Sequence, residues 1–257
     1  MRLLAMLLLP LGFGLAQTAT QTEPADAAAK LRADFERQQR VLSDWPNLAR
    51  YREENAKLAR PAAGEHRVVF MGDSITDAWG RRYGKLPGAG SVNRGISGQT
   101  TSQMLIRFRP DVIALRPEVV VILAGTNDIA GNTGPTTLEA IEDNLMSMAE
   151  LAKANGIRLV LASVLPVCDS VRPQTARRPP EKIRALNTWI RDYAARTGAV
   201  YLDYYSAMIG PDGLLKTELT YDCLHPNDAG YAVMAPLADK AVAQPLGAQG
   251  ALRRPVE

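Results

Sequence analysis

The chain has 257 residues, and its 30 Lys and Arg residues against 27 Asp and Glu residues leave a net charge of +3. The basic residues alternate with acidic ones, so the charge pattern indicates no nucleic-acid partner. There are two cysteines and no CxxC or HExxH spacing, which indicates neither a structural zinc site nor a disulfide-rich scaffold. We expect no cofactor and no metal.

Residues 1–16 have the pattern of an export signal. Arg2 precedes a leucine-rich run over 3–9, and Gly14 and Ala16 fit the −3 and −1 positions of a signal peptidase site. The apolar run is too short to span a bilayer. We therefore expect an exported protein, periplasmic or secreted, without a stable membrane anchor. The alternative is an ordinary core segment at the N-terminus.

Residues 17–65 are predicted to be a leader and a helical appendage to the main domain. Residues 17–29 are rich in Thr, Gln and Ala, which is typical of a flexible leader. Residues 31–58 are charged and helical in pattern, and Pro46 divides them into two helices. Apolar residues in this stretch could face a core, among them Leu31, Phe35, Leu42 and Tyr51. The main domain is expected over 66–243, followed by a flexible tail over 244–257.

The main domain alternates predicted strands with predicted helices. Short apolar strands are expected at 67–71, 119–123, 157–164 and 199–203, with a weaker candidate at 91–93. The uninterrupted "VVVIL" run is typical of a strand that is covered on both faces of a parallel sheet. Amphipathic helices are expected at 138–151 and 183–193, and a last helix from Pro226 to about Val242. This order predicts right-handed βαβ units in a three-layer α/β/α sandwich.

Four polar segments lie at or beside the ends of predicted strands. They are "GDSIT" (72–76), "NRGISGQT" (93–100), "GTND" (125–128) and "YDCLHP" (221–226). Ligands gather at the carboxyl ends of the strands in an open α/β sheet. Burying polar groups without partners is costly, so a cluster of this kind indicates a functional site.

The segments contain the parts of a serine hydrolase. A nucleophilic serine needs a base, usually histidine, and the chain has only His66 and His225. His66 precedes the first strand and is expected at the wrong edge of the sheet. His225 lies at the correct edge, with Asp222 three residues earlier to orient its ring. Ser74 is the predicted nucleophile; it could instead be only the N-cap of a helix, and Ser97 is a rival nucleophile.

An oxyanion formed on the substrate would also need hydrogen-bond donors. We expect three: the backbone N–H groups of Ser74 and Gly95, and the side-chain amide of Asn127. Asp73 and Asp128 are weaker candidates for substrate binding. The alternative for Gly95 and Asn127 is a structural role in a turn.

The four segments, in this order, resemble the SGNH hydrolases, also called the GDSL esterase/lipase family. The resemblance covers roughly residues 66–240 and implies a flavodoxin-like sheet of five parallel strands. It also implies that Ser74, Gly95, Asn127 and His225 are the four family residues and that Asp222 completes a triad. The spacing resembles the branch of platelet-activating-factor acetylhydrolase subunits and bacterial carbohydrate acetylesterases. Relatives commonly have glycine at the position of Cys223.

Other functions remain open at this point. Asp73, Asp77, Asp128, Asp222 and His225 could form a metal site for phosphoester hydrolysis. A non-catalytic carbohydrate-binding protein could keep the same fold.

For an esterase, the resemblance favours a small acyl group, acetyl above all, on a sugar or another alcohol; a lysophospholipase or thioesterase acting on longer acyl chains is the alternative. The polar loop 166–180 should lie beside the site, where Arg172, Arg177 and Arg178 could act on acidic or polymeric substrates. Cys168 and Cys223 could form a disulfide. The sequence does not predict the oligomeric state.

Overall fold

The structure is a computed structural model that describes residues 23–88 and 90–244. The predicted signal over 1–16, the first part of the leader and the tail from residue 245 lie outside the described residues. The described residues form two compact units, one up to Ser43 and one from Asp44 onward. None of the described helices is long and apolar enough to cross a membrane.

In the first unit, α1 runs from Glu23 to Ser43. The expectation of a flexible leader up to residue 29 is therefore wrong from Glu23 onward, because this Ala-rich stretch has high helix propensity. The side chains of Leu31, Phe35 and Leu42 are exposed, so the expectation that they face a core is wrong as well.

The second unit begins with a short helix, α2 (Arg52–Lys57), and Pro46 lies between the two helices as predicted. Tyr51, directly before α2, is fully buried.

A five-stranded parallel sheet forms the centre of the second unit. Its strands are β1 (Val68–Gly72), β2 (Ser91–Gly95), β3 (Val119–Leu123), β4 (Arg158–Ala162) and β5 (Val200–Leu202). The spatial order is β2-β1-β3-β4-β5, with all neighbours parallel. The predicted flavodoxin-like α/β/α fold is confirmed.

Helices cover both faces of this sheet. The remaining helices are α3 (Ser74–Ala78), α4 (Thr101–Asp111), α5 (Thr126–Ile129), α6 (Leu138–Ala154), α7 (Pro180–Thr197), α8 (Tyr205–Met208) and α9 (Asp228–Ala243). Two short 3-10 turns lie at Ile113–Leu115 and Thr217–Leu219. The last helix begins two residues after the predicted start at Pro226, because Asn227 caps it by accepting a hydrogen bond from the N–H of Gly230 at 3.0 Å.

The core has two halves, one on each side of the sheet. Successive strand residues point to opposite faces, so Val120 and Ile122 pack in the half that contains residues of α4, α6 and α7. Val119 and Val121 pack in the other half, which contains residues of α9. This alternation explains why β1 and β3 are apolar throughout.

The strand register brings the polar segments to one edge. Gly72, the last residue of β1, lies opposite both Gly95 at the end of β2 and Leu123 at the end of β3. The fully buried Arg107 of α4 ties two of these strand ends together: it donates to the carbonyl oxygens of Gly72 at 3.1 Å and Arg94 at 2.8 Å.

Candidate active site

Ser74 is the first residue of α3, directly after β1 and the short link through Asp73. The side chain of Asp73 caps the helix by accepting from the N–H of Ile75 at 2.9 Å. The strand-to-helix turn is tight: a Cβ on Gly72 would lie 2.1 Å from Oγ1 of Thr76 and 2.9 Å from the carbonyl oxygen of Leu123. Only glycine fits there, and the turn leaves Ser74 at the carboxyl edge of the sheet.

The structure brings Ser74, His225 and Asp222 together in one hydrogen-bonded series. Oγ of Ser74 lies 2.9 Å from Nε2 of His225, and Nδ1 of His225 lies 2.8 Å from Oδ2 of Asp222. Because an ionised carboxylate only accepts, the contact assigns the ring proton to Nδ1 and leaves Nε2 free to accept from the Ser74 hydroxyl.

Asp222 is held in its ionised form. Burial acts to raise its pKa, but hydrogen bonds from the backbone and ring of His225 and from the backbone of Leu224 outweigh burial, and the pKa lies below its ordinary value. Oδ1 accepts from the N–H of His225 at 2.8 Å and from that of Leu224 at 3.1 Å. The carboxylate therefore fixes both the backbone turn and the ring.

The turn from Asp222 to His225 has a feature that the sequence left open. Cys223 forms a disulfide with Cys168, and its backbone has φ +68°. This left-handed conformation favours glycine, which accounts for glycine at this position in the family that the sequence resembles. The disulfide ties the turn to the loop after β4.

Tyr221 was missed by the sequence reasoning. Its ring stacks on the ring of His225, with centroids 5.6 Å apart and planes 10° apart. The carbonyl oxygen of His225 accepts from Oγ1 of Thr220 at 2.7 Å. The stacking and the backbone hydrogen bond restrict the position of His225 in addition to its contacts with Asp222.

A cavity of about 560 Å³ opens at Ser74 and His225. Asn127, Gly98, Ser97 and Tyr221 also line it, together with four arginines: Arg81, Arg82, Arg177 and Arg178. Only Ala78 and Leu224 contribute aliphatic side chains. The four guanidinium groups outnumber the one carboxylate of the lining, that of Asp77.

The expectation for Gly95 needs correction. Its N–H donates to Oδ1 of Asn93 at 2.8 Å, and Gly95 does not line the cavity. Its lack of a side chain serves packing, because a Cβ would lie 2.1 Å from the backbone nitrogen of Asp77 in α3.

Gly98 of the same sequence segment does line the cavity. Within the described residues, the backbone N–H groups of Gly98 and Ser74 have no acceptor. The carbonyl oxygen of Gly98 accepts from Nδ2 of Asn132 at 3.0 Å, and Oδ1 of Asn132 accepts from Arg177 at 3.1 Å.

Asn127 lies in the cavity wall, and its side-chain amide is held from two sides. Nδ2 donates to the carbonyl oxygen of Gln99 at 3.0 Å, and Oδ1 accepts from Nη2 of Arg178 at 3.4 Å. An amide nitrogen carries two hydrogens, so one N–H remains for a ligand.

Asp73 and Asp128 do not line the cavity, and the expectation that they bind substrate is wrong. Asp128 is buried and accepts from the N–H of Thr101 at 2.9 Å and from its hydroxyl at 2.5 Å, at the start of α4. Burial raises the pKa of both carboxyls, that of Asp73 to about 6. Oδ2 of Asp73 has no hydrogen-bond partner among the described residues.

His66 and Ser97 make contacts outside the series of Ser74, His225 and Asp222. His66 is exposed, precedes β1 and contacts Glu118. Oγ of Ser97 donates to Asp77 at 2.7 Å rather than to a histidine, and Asp77 pairs with Arg81 at 3.1 Å. Among residues 23–88 and 90–244, no group of three or more His, Cys, Asp or Glu side chains is arranged to hold a metal ion.

Comparison with known proteins gives consistent results. The sequence model of the GDSL-like Lipase/Acylhydrolase family matches residues 70–233. A solved GDSL-like lipase from Bacteroides thetaiotaomicron VPI-5482 is 42% identical, with a TM-score of 0.70, over 77% of this chain and 97% of that chain.

Two curated proteins are more distant relatives. Acetylxylan esterase of Geobacillus stearothermophilus is 25% identical over 204 residues, which cover 66% of this chain and 90% of that protein. "Uncharacterized lipoprotein YqeF" of Bacillus subtilis is 32% identical over 144 residues, 49% of this chain; the chain spans 59% of the length of that protein.

Proposed function

Since the chain belongs to the GDSL-like lipase/acylhydrolase family and is therefore a carboxylic ester hydrolase, we propose that it is a serine esterase for short-chain acyl esters, with acetylated carbohydrates as its substrate class. The observation that carries this proposal is the contact series from Ser74 through His225 to Asp222 at the cavity, with distances of 2.9 and 2.8 Å.

The reaction would begin when Nε2 of His225 takes the proton of the Ser74 hydroxyl as its oxygen attacks the acyl carbon. Asp222, already ionised, stabilises the imidazolium that forms. The carbonyl oxygen of the ester becomes an oxyanion. His225 then gives the proton to the leaving alcohol, and water hydrolyses the acyl-Ser74 intermediate by the same steps in reverse roles.

Three donors are available to the oxyanion: the N–H groups of Ser74 and Gly98, and the remaining N–H of the Asn127 amide. Ser74 lies at the N-terminus of α3, where the helix dipole also favours negative charge. Each such donor typically contributes ~3 kcal/mol to the transition state. Gly98 replaces Gly95 in this role because the N–H of Gly95 is already bonded to Asn93.

Two observations support a small acyl group on a polar alcohol. Among the residues that line the cavity, only Ala78 and Leu224 have aliphatic side chains, so the wall offers few aliphatic contacts to a long acyl chain. The curated relative from Geobacillus stearothermophilus is named an acetylxylan esterase. We also propose export, which the Cys168–Cys223 disulfide supports because disulfides persist in oxidising compartments.

Hydrolysis of p-nitrophenyl acetate tests the proposal. Ser74→Ala and His225→Ala should each remove most turnover, and the double variant should be hardly worse than either, since triad residues act as a unit. Ser97→Ala should keep most turnover. A Ser74→Ala variant as active as the wild type would contradict the proposal, and a wild type without any esterase activity would favour a carbohydrate-binding protein.

A further inference from the structure

Arg178 is a buried cation without a matching anion. Arg178 is 4% exposed, and among the described residues it forms no ion pair with a carboxylate within 4 Å. Asp73 and Asp222 act on it only at longer range. Removing a charge from water without pairing it is strongly unfavourable, so this position should have a function that a neutral residue would not serve.

The three hydrogen-bond acceptors of Arg178 are all neutral. Nε donates to Oγ1 of Thr126 at 3.1 Å, Nη1 to Oε1 of Gln174 at 2.7 Å, and Nη2 to Oδ1 of Asn127 at 3.4 Å. Thr126 and Asn127 are the first two residues of α5. The planar guanidinium therefore holds the start of α5 at the cavity wall, which Arg178 and Asn127 both line.

The contact with Asn127 fixes which way its amide faces. Oδ1 lies toward the guanidinium, and Nδ2 points away from it, toward the carbonyl oxygen of Gln99. If the amide were flipped, its NH2 group would face the guanidinium of Arg178. Both groups are donors only, so they could not form a hydrogen bond with each other. The positive charge also polarises the amide, which makes its N–H a stronger donor.

We propose that Arg178 is a positioning residue for the oxyanion-stabilising amide of Asn127, and that its charge strengthens this donor. The inference rests on the proposed function, because it acts only if an oxyanion forms beside Asn127. Its effect should fall on the transition state, where the oxyanion exists, and hence on kcat rather than on KM.

A double-mutant cycle on p-nitrophenyl acetate tests this coupling. Asn127→Ala alone should lower kcat by ~10²–10³-fold with little change in KM. Arg178→Gln alone, which keeps hydrogen-bonding capacity but removes the charge, should lower kcat by about tenfold or more. In the Asn127→Ala background the same change should lower kcat less than about twofold, because the group through which Arg178 acts is gone.

Two further variants separate positioning from general stability. Arg178→Lys keeps the charge and should recover part of the kcat lost in Arg178→Gln. Arg191 is an exposed arginine on α7 that pairs with Asp192, and Arg191→Gln should leave kcat unchanged. The melting temperature of each variant is measured first, and if Arg178→Gln fails to fold, the cycle is carried out with Arg178→Lys.

The possible results distinguish the two proposals. If the wild type is active but the effects of Asn127→Ala and Arg178→Gln are additive, or if Arg178→Gln changes only KM, the role of Arg178 is contradicted and the esterase assignment stays intact. Absence of wild-type activity would contradict the proposed function, and the role of Arg178 with it.

Discussion

The disulfide between Cys168 and Cys223 should account for a large part of the stability of the main domain. It joins residues 55 apart in sequence, and the chain-entropy relation for a loop of this length gives about 4 kcal/mol. Cys223 also has φ +68°, a conformation that costs a non-glycine residue about 1 kcal/mol. Cys168→Ala should therefore lose about 4 kcal/mol of unfolding free energy. Cys223→Gly should lose about 3 kcal/mol, because glycine relieves the turn.

Urea denaturation of the wild type and three variants, without reductant, measures the order of their unfolding free energies. The wild type should be most stable, followed by Cys223→Gly, with Cys168→Ala and Cys223→Ala least stable and similar to each other. Because Asp222 and His225 flank Cys223, the esterase activity of the four proteins should decrease in the same order as their stability. Equal stability of Cys223→Gly and Cys223→Ala would refute the argument from the backbone, and an unchanged Cys168→Ala would refute the argument from the disulfide.

Three other predictions concern charge and substrate. The folded-state pKa of Asp73, about 6, exceeds its ordinary value of 3.8, so the stability that its protonation provides is complete below about pH 4 and is lost as pH rises through about 6. Asp73→Asn keeps the acceptor for Ile75 and should raise the unfolding free energy at pH 8 by up to about 3 kcal/mol. The unfolding free energy of both proteins is measured by urea denaturation from pH 4 to 8, and the same change with pH in both would contradict this. Among p-nitrophenyl esters, kcat/KM should be highest at C2 or C4 and at least about tenfold lower by C10, because only Ala78 and Leu224 offer aliphatic contacts to added methylenes; a maximum at C8 or longer would favour a lysophospholipase or thioesterase. Arg177, which lines the cavity without a carboxylate partner among the described residues, should favour anionic esters: Arg177→Gln should lower kcat/KM for 4-acetoxybenzoate more than for its methyl ester, and equal losses would assign it no charge recognition.

Much of the fold was predictable because apolar runs mark strands that are covered on both faces. β2 was the weakest prediction, since it is an edge strand with only partly buried residues at its start. Helix α4 was missed because its buried face carries polar side chains, including Thr101, Gln103 and Arg107, instead of an apolar stripe. Such a face depends on partners from distant parts of the chain, which periodicity does not show.

The site was predictable where the chemistry left few choices. With only two histidines, the position of His225 after the last strand was decisive. The sequence did not distinguish Gly95 from Gly98 as the backbone donor to the oxyanion, since both lie in one segment. The choice depends on β2 continuing to Gly95 before the chain reaches the cavity. Arg178 had the local pattern of a surface charge in "TARRPP", and only tertiary contacts with Thr126 and Asn127 bury it.

The most direct test of the account is covalent labelling of the nucleophile. The wild-type protein is treated with the serine-directed organophosphate paraoxon, digested, and analysed by mass spectrometry. The account predicts one phosphorylated residue, Ser74, with loss of esterase activity in proportion to the label, no label in Ser74→Ala, and much slower labelling in His225→Ala because Nε2 of His225 no longer takes the hydroxyl proton. Labelling at Ser97, or full inactivation while Ser74 stays unmodified, would contradict it.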